Sequence, residues 1–304
     1  MKIALVGVGK IALDQHVPSI ADSPDWDLAA TVSRHGTVEG VEAFTDMDAM
    51  LEARPDIRVV SLCLPPVPRF DYARKAIAAG RHVMLEKPPG ATLAECHALE
   101  AMARAAGVSL FATWHSREAD MVDPARGWLA DKRVTRAHIN WQEDVRKWHP
   151  GQDWCFEPGG MGVFDPGINA LSILTKILPA PVHLRAATLH FPENRQTPIT
   201  VDLTFSDGVT GHFNWDHDGP EHWDIEVETE AGTLALHDGG ARMTLDGQAH
   251  GAPGDALRGE YPRLYKAMAA LVERGGIDMD LAPLTHVADA FMLGERRSAA
   301  AFDW

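Results

Sequence analysis

The sequence predicts an α/β protein built in two parts. Three observations carry this. Short apolar runs alternate with helix-length segments through the first 118 residues, the mark of a doubly wound parallel sheet. A glycine-rich turn follows the first of those runs. From residue 119 to 304 the pattern is mostly of period two, punctuated by turn residues, as in an open, mostly antiparallel sheet with one covered face.

Taken in order, Lys2 to Gly7 reads as a buried strand, and Leu28 to Ser33 as a second. Val59 to Leu64 is a third, stopped by Pro65-Pro66. His82 to Leu85 and Ser109 to Ala112 complete the set. Helices are expected over Arg69 to Ala79 and Leu93 to Ala106, each followed by a glycine, Gly80 or Gly107, where a helix end favours one. Beyond a short helix near Asp123 to Ala130, Arg136 to Trp141 alternates as a strand. A helix is expected from Gly160 to Leu178. Ile199 to Phe205, the Asp207-Gly208 turn and Val209 to Trp215 form a hairpin signal, and Trp223 to Thr229 adds a strand. Tyr261 to Glu273 and Leu284 to Arg297 read as closing helices.

Composition narrows the function classes. Apolar residues make up 45% and charged residues 23%, an ordinary globular balance. With 28 Lys and Arg against 43 Asp and Glu, the formal charge is −15, which repels nucleic-acid backbones. Cys63, Cys96 and Cys155 are dispersed, which argues against a disulfide scaffold or a thiolate zinc site. His212, His217 and His222 lack the carboxylate spacing of a metal site, so no metal is expected. The first apolar run is too short for a signal peptide or a spanning helix, and a cytoplasmic location is expected.

Gly7-Val8-Gly9-Lys10-Ile11-Ala12 is a G-x-G-x-x-A after a strand and before a helix. Gly7 allows the tight turn, Gly9 leaves the pyrophosphate room, and Ala12 is small where helix meets strand. Backbone N–H groups at the helix start, from Lys10 and Ile11, face the phosphates. This predicts a dinucleotide site on a Rossmann sheet. The second strand ends Ser33-Arg34-His35 with no carboxylate. Ser33 can donate a hydrogen bond and Arg34 can pair with a 2′-phosphate, so NADP is expected alongside NAD. The alternative is that Arg34 is a solvated loop charge.

Glu86-Lys87-Pro88 follows the fourth strand, at the carboxyl edge where open parallel sheets bind ligands. With the glycine turn and the Pro65-Pro66 loop, it makes the chain resemble the glucose–fructose oxidoreductase / inositol dehydrogenase / MocA family. A narrower resemblance joins it to the bacterial L-arabinose/D-galactose 1-dehydrogenases. It rests on Trp114 to Arg117, on Glu143 to Gly151, and on Gly159 to Asn169. That family's helix motif carries an Asp and, four residues on, a His. Here the pair is Asp165 and Asn169, and an amide cannot serve as a base.

The resemblance implies NAD(P)-dependent oxidation of an aldose at C1 to the aldonolactone. L-Arabinose, D-galactose and D-fucose would share the site because they agree from C2 to C4. Lys87, Asp165 and Asn169 would surround the C1 hydroxyl, with Lys87 the first candidate base and Asp165 coupled to it. His115, Glu143, Trp148 and His149 would hold the other hydroxyls and the ring face. Gly7, Gly9, Lys10, Ile11, Ser33, Arg34, His35, Pro65, Pro66, Glu86 and Lys87 would line the cofactor. A homodimer through the C-terminal sheet is expected. Alternatives are a dehydrogenase acting elsewhere on a polyol ring and a non-catalytic NADP-binding sensor. A further alternative makes Asp165-Pro166 simply a helix cap.

Overall fold

The computed structural model describes residues 1–252, 254 and 258–304. The chain divides into two compact units. Met1–His115 and Tyr261–Leu281 form the first, and Ser116–Glu260 and Ala282–Trp304 the second. Among the described residues the strands form two sheets, one of seven strands and one of nine. No helix among them is long and apolar enough to cross a membrane.

In the first unit β1 (Lys2–Val6) leads into a helical run that is π-wound over Ala12–His16 and continues as α1 (Val17–Ala21). Next come β2 (Asp27–Val32), β3 (Glu42–Phe44), α2 (Met47–Ala53), β4 (Val59–Leu62), α3 (Pro66–Ala78), β5 (His82–Glu86), α4 (Leu93–Ala106) and β6 (Leu110–Thr113). β1, β4, β5 and β6 are apolar runs without alternation because helices cover both faces. Every side chain of β4 is buried.

The second unit runs through α5 (Val122–Leu129), β7 (Val134–Gln142), α6 (Val145–Trp148) and α7 (Phe164–Ile177). Then follow β8 (Leu184–Pro192), β9 (Thr200–Phe205), β10 (Val209–Asn214), β11 (His222–Thr229), β12 (Gly232–His237), β13 (Arg242–Leu245) and β14 (Gln248–His250). Val201, Leu203 and Phe205 are buried while Asp202 and Thr204 are exposed, so the period-two expectation holds, and α7 lies over the apolar face.

The chain then re-enters the first unit with α8 (Glu260–Arg274) and β15 (Ile277–Asp278), and closes the second with α9 (Ala282–Leu293) and β16 (Glu295–Ala299). The first sheet, all parallel, runs β3-β2-β1-β4-β5-β6-β15. Strand order reverses at β1, the point where such sheets bind ligands. Tyr261, Leu264, Tyr265 and Met268 of α8 pack with Ile3, Leu5, Val59 and Met84 in one core. The expected division at residue 118 therefore differs from the compact units, since α8 and β15 complete the first.

The second sheet runs β14-β13-β12-β11-β7-β10-β9-β8-β16. It is mostly antiparallel, but β10 pairs with β7 and β16 with β8 in parallel. The helix expected through Arg297 stops at Leu293. Gly294 lies so close to Leu189 that a Cβ would sit 1.8 Å from its Cδ1, and the chain continues as an edge strand.

Candidate active site

The expected residues fall into two groups, one on each unit. In the first unit the hydrogen-bonded register sets Val6 beside Leu62 and Leu62 beside Leu85. The Gly7 turn and Glu86-Lys87 therefore leave the sheet at one edge, two strand spacings or about 10 Å apart. Val32 stands beside Val6 on the other side, which brings Ser33, Arg34 and His35 to that edge. Thr113 stands beside Glu86, with His115 two residues on.

Gly7 has φ +90°, and a Cβ there would lie 2.8 Å from the Leu64 side chain, so the turn needs glycine on both counts. A Cβ at Gly9 would meet nothing within 4 Å. That open space beside bare backbone is what a pyrophosphate requires, and a helical run of residues 10–21 starts there. The residues fit a nicotinamide dinucleotide. Lys10 pairs with Asp14 and is exposed, so its backbone rather than its ammonium suits the phosphates. Ile11 is 38% exposed and Ala12 is buried, as the motif requires. Ser33 Oγ accepts the Gly36 N–H at 3.2 Å, which shapes the loop carrying the exposed Arg34 and His35.

Pro65 precedes α3 and Pro66 opens it. From α3 the buried Arg69 donates to the carbonyls of Leu64, Glu86 and Pro88, tying the loops after β4 and β5 together. The peptide Lys87-Pro88 is cis. Lys87 is half-buried, while the Glu86 side chain is turned into the unit, where its carboxylate accepts the Lys87 N–H at 2.7 Å. His16, Tyr261 and Tyr265 line the same interior. Burial works against ionisation of Glu86, but the hydrogen bond and charge of His16 hold its carboxyl down at about 2. For His16, burial again opposes the charge. Cys63, Tyr265 and Glu86 outweigh it and hold the imidazole well above its ordinary range.

In the second unit Glu143 continues β7, its N–H donating to Asn214 O at 3.0 Å. Its buried carboxylate accepts two indole N–H groups, from Trp215 at 3.1 Å and Trp223 at 2.8 Å. Asp144 caps α6 by accepting the Arg146 N–H at 2.9 Å. That single turn delivers Trp148 and His149 side by side. The Trp148 indole donates to Glu221 Oε1 at 2.7 Å, and its ring lies tilted on Trp223 with centroids 5.6 Å apart.

α7 starts at Phe164, with Val163 in the cap position. Asp165 is thus inside the first turn, and the cap reading does not describe it. Gly162, at φ +56°, lets the chain pass so close to Pro198 that a Cβ would sit 2.2 Å from its carbonyl oxygen. A buried carboxylate in the first turn is favoured by the helix dipole. His149 Nε2 lies 3.1 Å from Asp165 Oδ2. The other ring nitrogen of His149 faces Gln152 Oε1 at 3.3 Å and Cys155 Sγ at 3.8 Å. Asn169, partly buried, is one turn along α7.

Sequence reasoning missed Arg69, His16, Tyr261, Tyr265, Trp215, Trp223 and Glu221. The two tryptophans carried a partial signal, since a buried indole N–H needs an acceptor, but nothing along the chain singled out Glu143 over the nearer Asp216, Glu221 and Asp224. The others had none: His16, Tyr261, Tyr265 and Glu221 meet partners 70 or more residues away, and Arg69 bonds to main-chain carbonyls, which no side-chain pattern marks.

The profile of the oxidoreductase family with an NAD-binding Rossmann fold matches residues 1–113. Galactose 1-dehydrogenase of Pseudomonas fluorescens is 39% identical over 318 aligned positions, covering 99% of this chain and 98% of that protein. The crystal structure of D-galactose 1-dehydrogenase from Rhizobium etli superposes with a TM-score of 0.94 at 53% identity, over 99% of this chain and 97% of the other. A 3-ketoreductase from Actinomadura kijaniata, solved with NADP, shares the fold at 17% identity, with a TM-score of 0.82 over 98% and 99% of the two chains.

Proposed function

The chain belongs to the oxidoreductase family with an NAD-binding Rossmann fold, and from that premise we propose that it oxidises an aldose at C1 to the lactone, with D-galactose, L-arabinose and D-fucose as substrates and NADP or NAD as acceptor. The observation that carries this reading is the shared sheet edge. The glycine turn and Lys87 leave the same edge of one parallel sheet, two strand spacings or about 10 Å apart.

In this reading the first unit takes the dinucleotide and the second the sugar. A nicotinamide held there would supply the acceptor for the hydride leaving C1. Gly7, Gly9 and the N–H groups at the start of the helical run hold the pyrophosphate, and Ser33 and Arg34 hold the ribose and its phosphate. Lys87 accepts the proton of the anomeric hydroxyl. In the second unit Asp165 binds a sugar hydroxyl, with His149 Nε2 3.1 Å from its Oδ2. This gives His149 a task beyond touching the sugar: it supplies the imidazole that Asn169 does not. Glu143, its carboxylate fixed by two indoles, accepts sugar hydroxyl hydrogens, and Trp148 covers the apolar ring face.

Initial rates over an aldose panel with both cofactors, with the product identified, test the proposal. A lactone opening to an aldonic acid is expected, and a ketose product would overturn it. Lys87→Ala should lower kcat by about 10²-fold or more while NADPH still binds. The proposal extends to a cytoplasmic homodimer paired through the second-unit sheet, and light scattering at twice the 33.2 kDa chain mass checks the dimer.

A further inference from the structure

A closed polar network lies beneath the carboxyl ends of β4 and β5, wholly within the first unit. Glu86 is its centre. Oε1 accepts from His16 Nε2 at 3.1 Å and from the Tyr261 hydroxyl at 2.9 Å, and Oε2 accepts the Lys87 N–H at 2.7 Å. The side chains of His16 and Glu86 are 0% and 5% exposed, and both tyrosines are fully buried. The other nitrogen of His16 meets the Tyr265 hydroxyl at 2.7 Å. The Tyr261 ring stacks on His115, with centroids 5.4 Å apart and planes 18° from parallel.

A carboxylate with three protein donors and almost no exposure is not arranged to bind a cofactor. It is arranged to hold the residues that donate to it. Lys87 and His115 stand on different loops, after β5 and after β6. Tyr261 touches the supports of both: its hydroxyl reaches the carboxylate that fixes the Lys87 main chain, and its face lies against the His115 ring.

We propose that Tyr261 is a positioning residue shared by two groups of the reaction site, fixing Lys87 through Glu86 and fixing His115 by stacking. This rests on the reading above in which Lys87 takes the proton and His115 contacts the sugar. His16 supports the arrangement by keeping Glu86 ionised, so that the Lys87 N–H and the Tyr261 hydroxyl meet a charged acceptor, the stronger kind. Movement of the Lys87 main chain is amplified along its four-carbon side chain, and a displacement of about 1 Å at a reacting group can cost 10²-fold in rate.

The two contacts of Tyr261 can be separated. Tyr261→Phe removes the hydroxyl and keeps the ring, so kcat should fall by about tenfold or more. The sugar KM and the dissociation constant of NADPH should stay within about twofold, because His115 stays stacked. Tyr261→Leu removes both contacts, and the sugar KM should then rise as well, by about fivefold or more. Each variant is assayed at a temperature where its circular dichroism is native. If Tyr261→Phe does not fold, the same split between kcat and KM is read on Glu86→Gln. Lys87→Ala is run alongside. Full activity in Lys87→Ala overturns the reading of the reaction. Loss of activity in Lys87→Ala with wild-type kcat in folded Tyr261→Phe overturns only the role given to Tyr261. A support that served stability alone would lower the melting temperature and leave kcat and KM in place.

Discussion

Glu86 and His16 make a buried ion pair, and its two titrations act on stability at opposite ends of the pH scale. Glu86 is held at about 2, below its ordinary 4.5. Its contribution is complete above pH 4.5 and is lost as the pH falls through about 2. His16 is held above its ordinary 6.5. Its contribution is complete below 6.5 and is lost as the pH rises through the folded value. The pair should therefore support the fold most fully between pH 4.5 and 6.5. Unfolding free energies from urea titrations measured against pH should show that plateau, and Glu86→Gln should lower it by about 3 kcal/mol and flatten the acid flank, while the alkaline flank, set chiefly by Cys63 and Tyr265 beside His16, remains. A single-residue prediction also concerns cofactor choice. Arg34 is exposed at the end of β2 with no carboxylate beside Ser33. Arg34→Ala should raise the NADP KM by about tenfold, the worth of one charged hydrogen-bond pair, and leave the NAD KM within twofold. An unchanged NADP KM would return Arg34 to the solvated surface.

At the scale of elements, α7 sets where Asp165 and Asn169 stand, and Gly167 sets where α7 stands. A Cβ at Gly167 would lie 2.5 Å from the Phe213 ring of β10, so helix and sheet are at minimum separation there. Gly167→Ala should push α7 off the sheet, cost about 1–3 kcal/mol and lower kcat by shifting Asp165, two residues away. Thermal unfolding and steady-state kinetics on the same sample check both effects. α6 shows the same dependence of chemistry on local structure. One capped turn, from Asp144 to His149, presents the indole and the imidazole, and Arg146 pins it to Asp216 at 2.7 Å.

At the scale of the molecule, the first unit is not a contiguous stretch of chain. α8, which starts 147 residues past the end of β6, supplies Tyr261, Leu264, Tyr265 and Met268 to the core under β1, β4 and β5. A fragment ending at residue 118 would expose that apolar surface. It should bind a hydrophobic dye and lack a cooperative thermal transition, whereas the same fragment linked to 258–281 should unfold cooperatively. Cooperative unfolding of the short fragment would show that α8 is dispensable to the core.

What the sequence determined by itself was whatever depends on near neighbours along the chain. The glycine turn, the strand ends that carry Ser33 and Lys87, the Asp207-Gly208 hairpin and the alternating strands of the second sheet follow from period, turn chemistry and motif spacing. These act over a few residues and so are written locally. Tertiary structure alone decided the partners of the charged groups. Glu86 reads as a cofactor contact until His16 and Tyr261 are seen to enclose it. His149 reads as a sugar contact alone until its ring is also seen 3.1 Å from Asp165. The edge strand β16 and the return of α8 were hidden for the same reason. Burial and pairing are set by segments distant in sequence, and no pattern within either segment records which partner it will meet.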